Sequence, residues 1–385
     1  MTRSQDRSHA GQPGSDARHA LEPSAEAPAA QAVAALARGA LVGLPLETVH
    51  AVAADGSDAE AVSRLADLVR PDAPSETFRS TWHAPSVSRV LRVLRAGDRA
   101  VPRWLRWTLS RLAPGPVRFE IRLGRDWLME ARSSADLRPG AADDGYSIFV
   151  RVPSDPTAQA VLNAVDRPII ASVPVTWTDD SDGRLAVNIA RGPTRFGGPS
   201  TRVTLFAHTD TPGAAAGGFA DRCRVHAGGP YDERWIRTMT RRRLLFVCTG
   251  NTCRSPMAEA IAAHAVDARA DAPETEVGSA GAMASSGAPI SPESVSALQA
   301  LGIEPTRERS RPLTRELIAG ADRIFAMTRS HLAAIHSIDP AAPAELLDPD
   351  GGDVPDPIGQ SEEVYLATAR ALRTMIERRL EEPDA

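Results

Sequence analysis

The sequence predicts an α/β protein in two parts: a mixed α/β N-terminal half, followed by a C-terminal half built on a small doubly wound parallel sheet. Three observations carry this reading. The chain has 385 residues, more than one hydrophobic core usually organises, so two domains are expected. From Arg243 onward, strand-like and helix-like segments alternate, the pattern of parallel strands joined by crossover helices. All six tryptophans (Trp82, Trp104, Trp107, Trp127, Trp177 and Trp235) precede Arg241, so composition changes where the pattern changes.

Residues 1–30 are polar and predict a disordered tail. They lack the apolar stretch of a secretion signal. Residues 32–38 and 59–69 read as helices, and residues 40–45, 118–123 and 146–152 as strands. The Gly-, Ala-, Thr- and Pro-rich stretch 209–218 and Gly228-Gly229-Pro230 read as exposed loops. The boundary falls near residues 239–242, giving parts 31–239 and 243–382.

In the second part, residues 244–247 form a short, wholly apolar strand. Ser255 is expected to cap the next helix, with Pro256 at its first position, where a missing N–H costs nothing. Ser291-Pro292 repeats that signature, and Gly302 closes the helix. Residues 323–327 read as another buried strand. An amphipathic helix over 361–381 is expected to carry Val364, Leu372, Ile376 and Leu380 on one stripe.

Composition narrows the function classes. Hydrophobic residues make up 42% and charged residues 24%, ordinary values for a globular protein. The net charge of −5 gives no global basic field to attract nucleic acid. The chain contains no lysine, so its cationic side chains other than histidine are all arginine. Its three cysteines, Cys223, Cys248 and Cys253, form no disulfide framework and suit a reducing, cytoplasmic setting. No apolar run approaches the roughly 20 residues of a membrane helix.

The chemistry concentrates in Cys248-Thr249-Gly250-Asn251-Thr252-Cys253-Arg254-Ser255, between a strand and a helix. A cysteine below a helix N-terminus has its thiolate stabilised by the helix dipole. Backbone N–H groups of Thr249, Gly250, Asn251, Thr252 and Cys253, outside any ladder, form a nest for an anion. Gly250 is expected to supply the freedom a tight nest needs. Arg254 can return to the same anion with a bidentate grip. Ser255 can donate its hydroxyl to the thiolate.

These residues resemble the low-molecular-weight protein tyrosine phosphatases. The resemblance runs from Leu244 to about Leu380. It includes the loop and following helix, Gly278-Ser279-Ala280-Gly281, Ala321-Asp322-Arg323-Ile324-Phe325-Ala326-Met327-Thr328, and Asp356-Pro357. It implies the low-molecular-weight phosphatase fold and attack of Cys248 on phosphorus to form a phosphocysteine. It also implies stabilisation of the equatorial oxygens by the loop and Arg254, and Asp356 as general acid and then base. Asp348, Asp350 and Asp353 are expected to be solvated loop residues. The substrate implied is a phosphorylated protein, and no metal or other cofactor is called for.

Thr252 and the loop sequence are similar to the protein-arginine-phosphatase branch of that family, where a hydroxyl at this place can meet a phosphoguanidinium. Ile358-Gly359 follow Asp356-Pro357, where tyrosine-specific members carry aromatic residues. Both features lean towards phosphoarginine, with phosphotyrosine as the alternative. The family also implies a reversible disulfide between Cys253 and Cys248. The related arsenate reductases need cysteines downstream of this loop, and none follows Cys253.

The first half resembles the YrdC-like threonylcarbamoyl-AMP synthases over residues 31–231. Gly43-Leu44-Pro45-Leu46-Glu47-Thr48-Val49-His50, Arg70-Pro71, Ala113-Pro114-Gly115-Pro116, Val150-Arg151-Val152-Pro153 and Ser200-Thr201 follow that family's order. Leu68 stands where the family has a lysine, and Ser172-Val173-Pro174 lacks its asparagine. The resemblance therefore implies a YrdC-like fold without synthase activity, acting in regulation or recruitment. A nucleotide, an RNA or the phosphatase substrate remain as ligand classes. The alternatives are a nucleotide- or double-stranded-RNA-binding protein, or a bifunctional synthase, with an accessory phosphatase. Arg70 and Arg151 are either ligand contacts or structural, salt-bridged arginines.

Overall fold

The structure, a computed structural model, describes residues 26–71, 78–174, 183–207, 218–305 and 309–382. The first half runs α1 (Glu26–Ala37), β1 (Val42–Leu44), β2 (Ala51–Asp55), α2 (Ala59–Val69), β3 (Thr81–His83), α3 (Val87–Leu94), α4 (Arg103–Leu112), β4 (Val117–Arg122) and α5 (Arg125–Ser134). It continues with β5 (Ser147–Arg151), α6 (Pro156–Ala164), β6 (Ile169–Ser172), β7 (Val187–Asn188), β8 (Thr201–Phe206), α7 (Phe219–Arg222), β9 (Cys223–His226) and α8 (Glu233–Thr240). Its strands form a mixed sheet in the order β7-β1-β2-β6-β3-β5-β4-β8-β9.

Local chemistry explains these elements. Asp58 caps α2 by accepting the N–H groups of Glu60 and Ala61. In β4, Val117, Phe119 and Ile121 are buried in strict alternation, the signature of a half-buried strand. Helix α1 begins at Glu26, so five residues expected in the tail are helical. Ala32, Ala35 and Leu36 of α1 pack with Val161 and Leu162 of α6. The expected loop 209–218 lies outside the described residues except for Gly218.

The second half comprises β10 (Arg242–Cys248), α9 (Arg254–Asp267), β11 (Thr275–Gly281), α10 (Pro292–Ala300), α11 (Arg315–Ala319), β12 (Arg323–Ala326), α12 (Arg329–Ile338), β13 (Ala344–Leu346) and α13 (Glu362–Glu381). All neighbours in the sheet β11-β10-β12-β13 are parallel. That is the expected doubly wound arrangement, with β10 central and its C-terminal end the place for a ligand.

Two expectations need correction. The N-cap position of helix α9 is Cys253, which makes no side-chain cap, and not Ser255; Ser255 lies in its first turn, and its hydroxyl faces the Cys248 sulfur. Val364 is exposed, and Tyr365 takes its place in the core with Leu372, Ile376 and Leu380. The helical period explains this. Tyr365 stands seven residues before Leu372, close to two whole turns, whereas Val364 is a further 100° round.

The halves meet at the end of the second sheet remote from Cys248. Trp104 N–H donates to Asp271 O at 2.9 Å, and Arg222 donates to Ala270 O and Ala272 O, both at 2.6 Å. Arg103 donates to the carbonyls of Leu380 and Glu382, and Arg111 pairs with Asp322 at 3.4 Å. Asp271 and Asp322 precede β11 and β12, so these contacts gather at the strands' N-terminal ends. Among the described residues, no helix is long and apolar enough to cross a membrane.

Candidate active site

Strand β10 ends at Cys248, which is buried, and α9 begins six residues later. Ser255 Oγ lies 3.0 Å from Cys248 Sγ, and Asn251 N–H donates to the same sulfur at 3.3 Å. Ser255 Oγ and Asn251 N–H thus both face the sulfur at the N-terminus of a 14-residue helix.

The left-handed backbone of the loop falls on Asn251 (φ 55°), not on Gly250. Asparagine tolerates this conformation better than other residues bearing Cβ, and here its side chain is locked. Nδ2 donates to Ser255 Oγ at 3.0 Å and to Ser279 Oγ at 2.8 Å, while Oδ1 accepts Arg311 N–H at 2.9 Å. Ser279 in turn donates to Glu259 at 2.5 Å. The glycine that lets the loop close is Gly281, where a Cβ would lie 2.6 Å from Thr249 O.

Arg254 is buried and donates to Val354 O at 3.0 Å and to Asp356 Oδ2 at 2.5 Å. Val354 N–H is itself held by Met327 O at 2.8 Å, which ties the acid-bearing segment to the end of β12. Asp353, Asp350 and Asp348 are engaged elsewhere. Asp353 accepts Arg329 N–H, Asp350 pairs with Arg378, and Asp348 accepts N–H groups of its own turn.

Cys253 is buried, with Tyr365 OH 3.5 Å from its sulfur. Burial, followed by the bond to Cys253, pushes the Tyr365 phenol up to about 12. Cys223, Cys248 and Cys253 are all free thiols. The Thr252 hydroxyl makes a 3.7 Å contact to Cys253 Sγ, and Thr252 O accepts Ser291 N–H. Thr249 Oγ1 lies 2.8 Å from His331 Nε2.

The sequence did not reveal the roles of His331, Glu259, Arg311 and Tyr365. Only Thr328-Arg329-Ser330-His331, a capping residue with an imidazole three residues on, offered a local signal.

In the first half, strand register aligns His83 with Arg151, Arg151 with Arg118, and Arg118 with Arg202. These four side chains, with Arg70 and Arg79, line a cavity of about 270 Å³. Arg151 is buried and paired with Glu47 at 2.9 Å, and it also donates to Thr48 Oγ1 and Ser200 Oγ. Burial first, then Arg151, pushes His83 down to about 3. Burial and Arg202 also lower Arg118.

Comparison with known proteins gives the second half a lineage. The family described as "Low molecular weight phosphotyrosine protein phosphatase" matches residues 243–382. A protein-arginine-phosphatase of Geobacillus stearothermophilus is 39% identical over 142 residues, 35% of this chain and 92% of the relative. A probable low molecular weight protein-tyrosine-phosphatase, EpsP, of Ralstonia nicotianae is 39% identical over 98 residues, 26% of this chain and 63% of the relative. Among solved structures, the YwlE arginine phosphatase of Geobacillus stearothermophilus has a TM-score of 0.34 at 39% identity, covering 36% of this chain and 91% of that one. Through residues 243–382, the chain belongs to the low molecular weight phosphotyrosine protein phosphatase family and is a protein phosphatase.

Proposed function

We propose that Cys248 is the nucleophile, Arg254 the phosphate-gripping arginine and Asp356 the general acid of a phosphatase whose preferred substrate is phosphoarginine in proteins. Cys248 Sγ attacks phosphorus, and the bond from phosphorus to the leaving oxygen or nitrogen breaks. Asp356 gives its proton to that leaving atom. The Asp356 carboxylate then takes a proton from water, whose oxygen displaces the sulfur. Phosphate leaves and the thiolate is restored, with the Ser255 hydroxyl beside it. Arg254 and the N–H groups of residues 249–253 hold the equatorial oxygens.

The observation that carries the reading is the approach of Ser255 Oγ and Asn251 N–H to Cys248 Sγ at the start of α9, with the Arg254–Asp356 pair alongside. The phosphoarginine preference is supported by Thr252, whose weak contact to sulfur leaves the hydroxyl available. The exposed Ile358, where an aromatic stacking residue is absent, supports it too, as do relatives named for that activity. Matched phosphoarginine and phosphotyrosine peptides test it. The wild type should favour phosphoarginine, Thr252→Ile should reverse the preference, and Cys248→Ser should be inactive. Preference for phosphotyrosine with Thr252 intact overturns the specificity.

The first half, residues 31–239, is best read as a YrdC-like module without synthase activity whose cavity takes an anionic ligand such as a nucleotide. Arg118 and Arg202, aligned across β4 and β8 on the wall of this cavity, favour this, because like charges set opposite each other repel until an anion joins them. Titration of the full chain with ATP, and with double-stranded RNA as the competing ligand, tests it. Failure to rescue a synthase-deficient strain is expected; rescue overturns the loss of activity.

A further inference from the structure

We propose that His331 is a positioning residue of the phosphatase reaction, which fixes the phosphate loop through the Thr249 hydroxyl. This rests on the catalytic assignment of Cys248 made above. His331 lies in the first turn of α12, 82 residues from the loop it touches. Its ring is buried and spans two hydroxyls, with Nε2 2.8 Å from Thr249 Oγ1 and Nδ1 2.8 Å from Thr328 Oγ1. Thr328 is the N-cap of the same helix and also accepts His331 N–H, so the ring's anchor is part of the fold and not a mobile chain end.

Thr249, by contrast, is exposed. It immediately follows Cys248, and its carbonyl is held by Met283 N–H at 2.9 Å. The hydroxyl contact to His331 is its second tether. Together the two fix the residue on both sides of its Cα, and with it the orientation of the first peptide groups of the anion nest. Donors that stabilise a transition state work only when already aimed. A threonine free to rotate would leave the first turn of the loop to be ordered during the reaction.

The charge state of the ring fits this role. Burial first, and Arg254 second, hold the imidazole below its ordinary value, while Asp356 and Asp353 pull the other way. A neutral ring has one donor and one acceptor, matching two hydroxyls, and adds no second cation beside Arg254 to compete for the substrate dianion.

The test is a double-mutant cycle on the full chain using Thr249→Val, His331→Phe and the pair, with Cys248→Ser as control. The readouts are kcat and KM for p-nitrophenyl phosphate, together with inhibition by vanadate and by inorganic phosphate. Thr249→Val sits on the surface and keeps the fold.

Each single substitution should lower kcat by about tenfold, the loss expected for one hydrogen bond. KM should change little, and vanadate inhibition should weaken by a similar factor while phosphate inhibition moves less. The double variant should be no worse than either single one. His331→Gln, which keeps a donor and an acceptor, should recover most of the loss.

A merely structural role would lower the folded fraction and leave vanadate inhibition of the survivors unchanged. Wild-type kcat in Thr249→Val, or losses that multiply in the double variant, overturn the proposal while an inactive Cys248→Ser leaves the catalytic assignment standing. An active Cys248→Ser overturns both.

Discussion

Asp356 Oδ2 stands 2.5 Å from Arg254 Nη2, although 102 residues separate them in the chain. The arginine side chain is 5% exposed and the carboxylate 42%. The carboxylate is therefore the partner with room to move, and under the proposed mechanism a substrate phosphate competes with it for the guanidinium. Arg254 stays oriented by the Val354 carbonyl when Asp356 leaves.

Asp356→Asn keeps the shape and removes the transferable proton. Loss of a general acid costs on the order of 10²–10⁴-fold in rate, and the loss should grow as the leaving group becomes more basic. Comparing kcat for p-nitrophenyl phosphate and a phosphoarginine peptide checks this. A uniform loss across leaving groups would place Asp356 outside proton transfer.

Asn251→Ala should damage both stability and rate. It forces alanine into a left-handed conformation and strips partners from Ser255, Ser279 and the N–H of Arg311. A cost of roughly 2–4 kcal/mol is expected from one strained residue and several unmet hydrogen bonds, read by chemical denaturation. Asn251→Gly should recover the conformational part and not the hydrogen bonds.

His83 predicts how stability depends on pH. Its folded value is about 3 against an ordinary 6.5, so below pH 6.5 the unfolded chain takes up a proton that the folded chain refuses. Stability is flat above that point and falls as pH drops from 6.5 towards 3, by about 2 kcal/mol at pH 5. His83→Asn should shrink the difference in denaturation midpoint between pH 7 and pH 5, leaving the part that comes from His331, whose value is lowered too. That window lies above the range in which Asp55 and Glu274, whose values are lowered, begin to titrate.

The junction between the halves predicts a separation of stability from rate. Arg103→Ala removes a charged donor to carbonyls at the end of α13, and Arg222→Ala one to the carbonyls of Ala270 and Ala272 ahead of β11, at roughly 1.5–3 kcal/mol for each hydrogen bond lost. Unfolding should show the loss, while kcat/KM at Cys248 stays at the wild-type level. A parallel fall in kcat/KM would mean that the junction communicates with the site through β10.

Strand, loop and helix in sequence made the proposed phosphate loop legible, because Cys248, Arg254 and Ser255 lie within eight residues of one another in the chain. Asn251 was legible as a loop residue and not as its keystone, since its partners Ser279 and Arg311 arrive from β11 and beyond α10. Gly250 looked like the flexible point because glycine usually is, yet the fold places positive φ on a side chain it can lock. The N-cap position falls on Cys253, two residues before Ser255, whose hydroxyl faces sulfur. The arginine row of the first half depends on β5, β4 and β8 becoming neighbours, a pairing that does not follow chain order.

The most direct test of the account is to mix the protein with a phosphoarginine peptide, quench within the first turnovers and map the phosphate by mass spectrometry. Phosphate is expected on Cys248 in the wild type and on no residue of a catalytically dead Cys248→Ala. Phosphate on another residue, or turnover without Cys248, would contradict it.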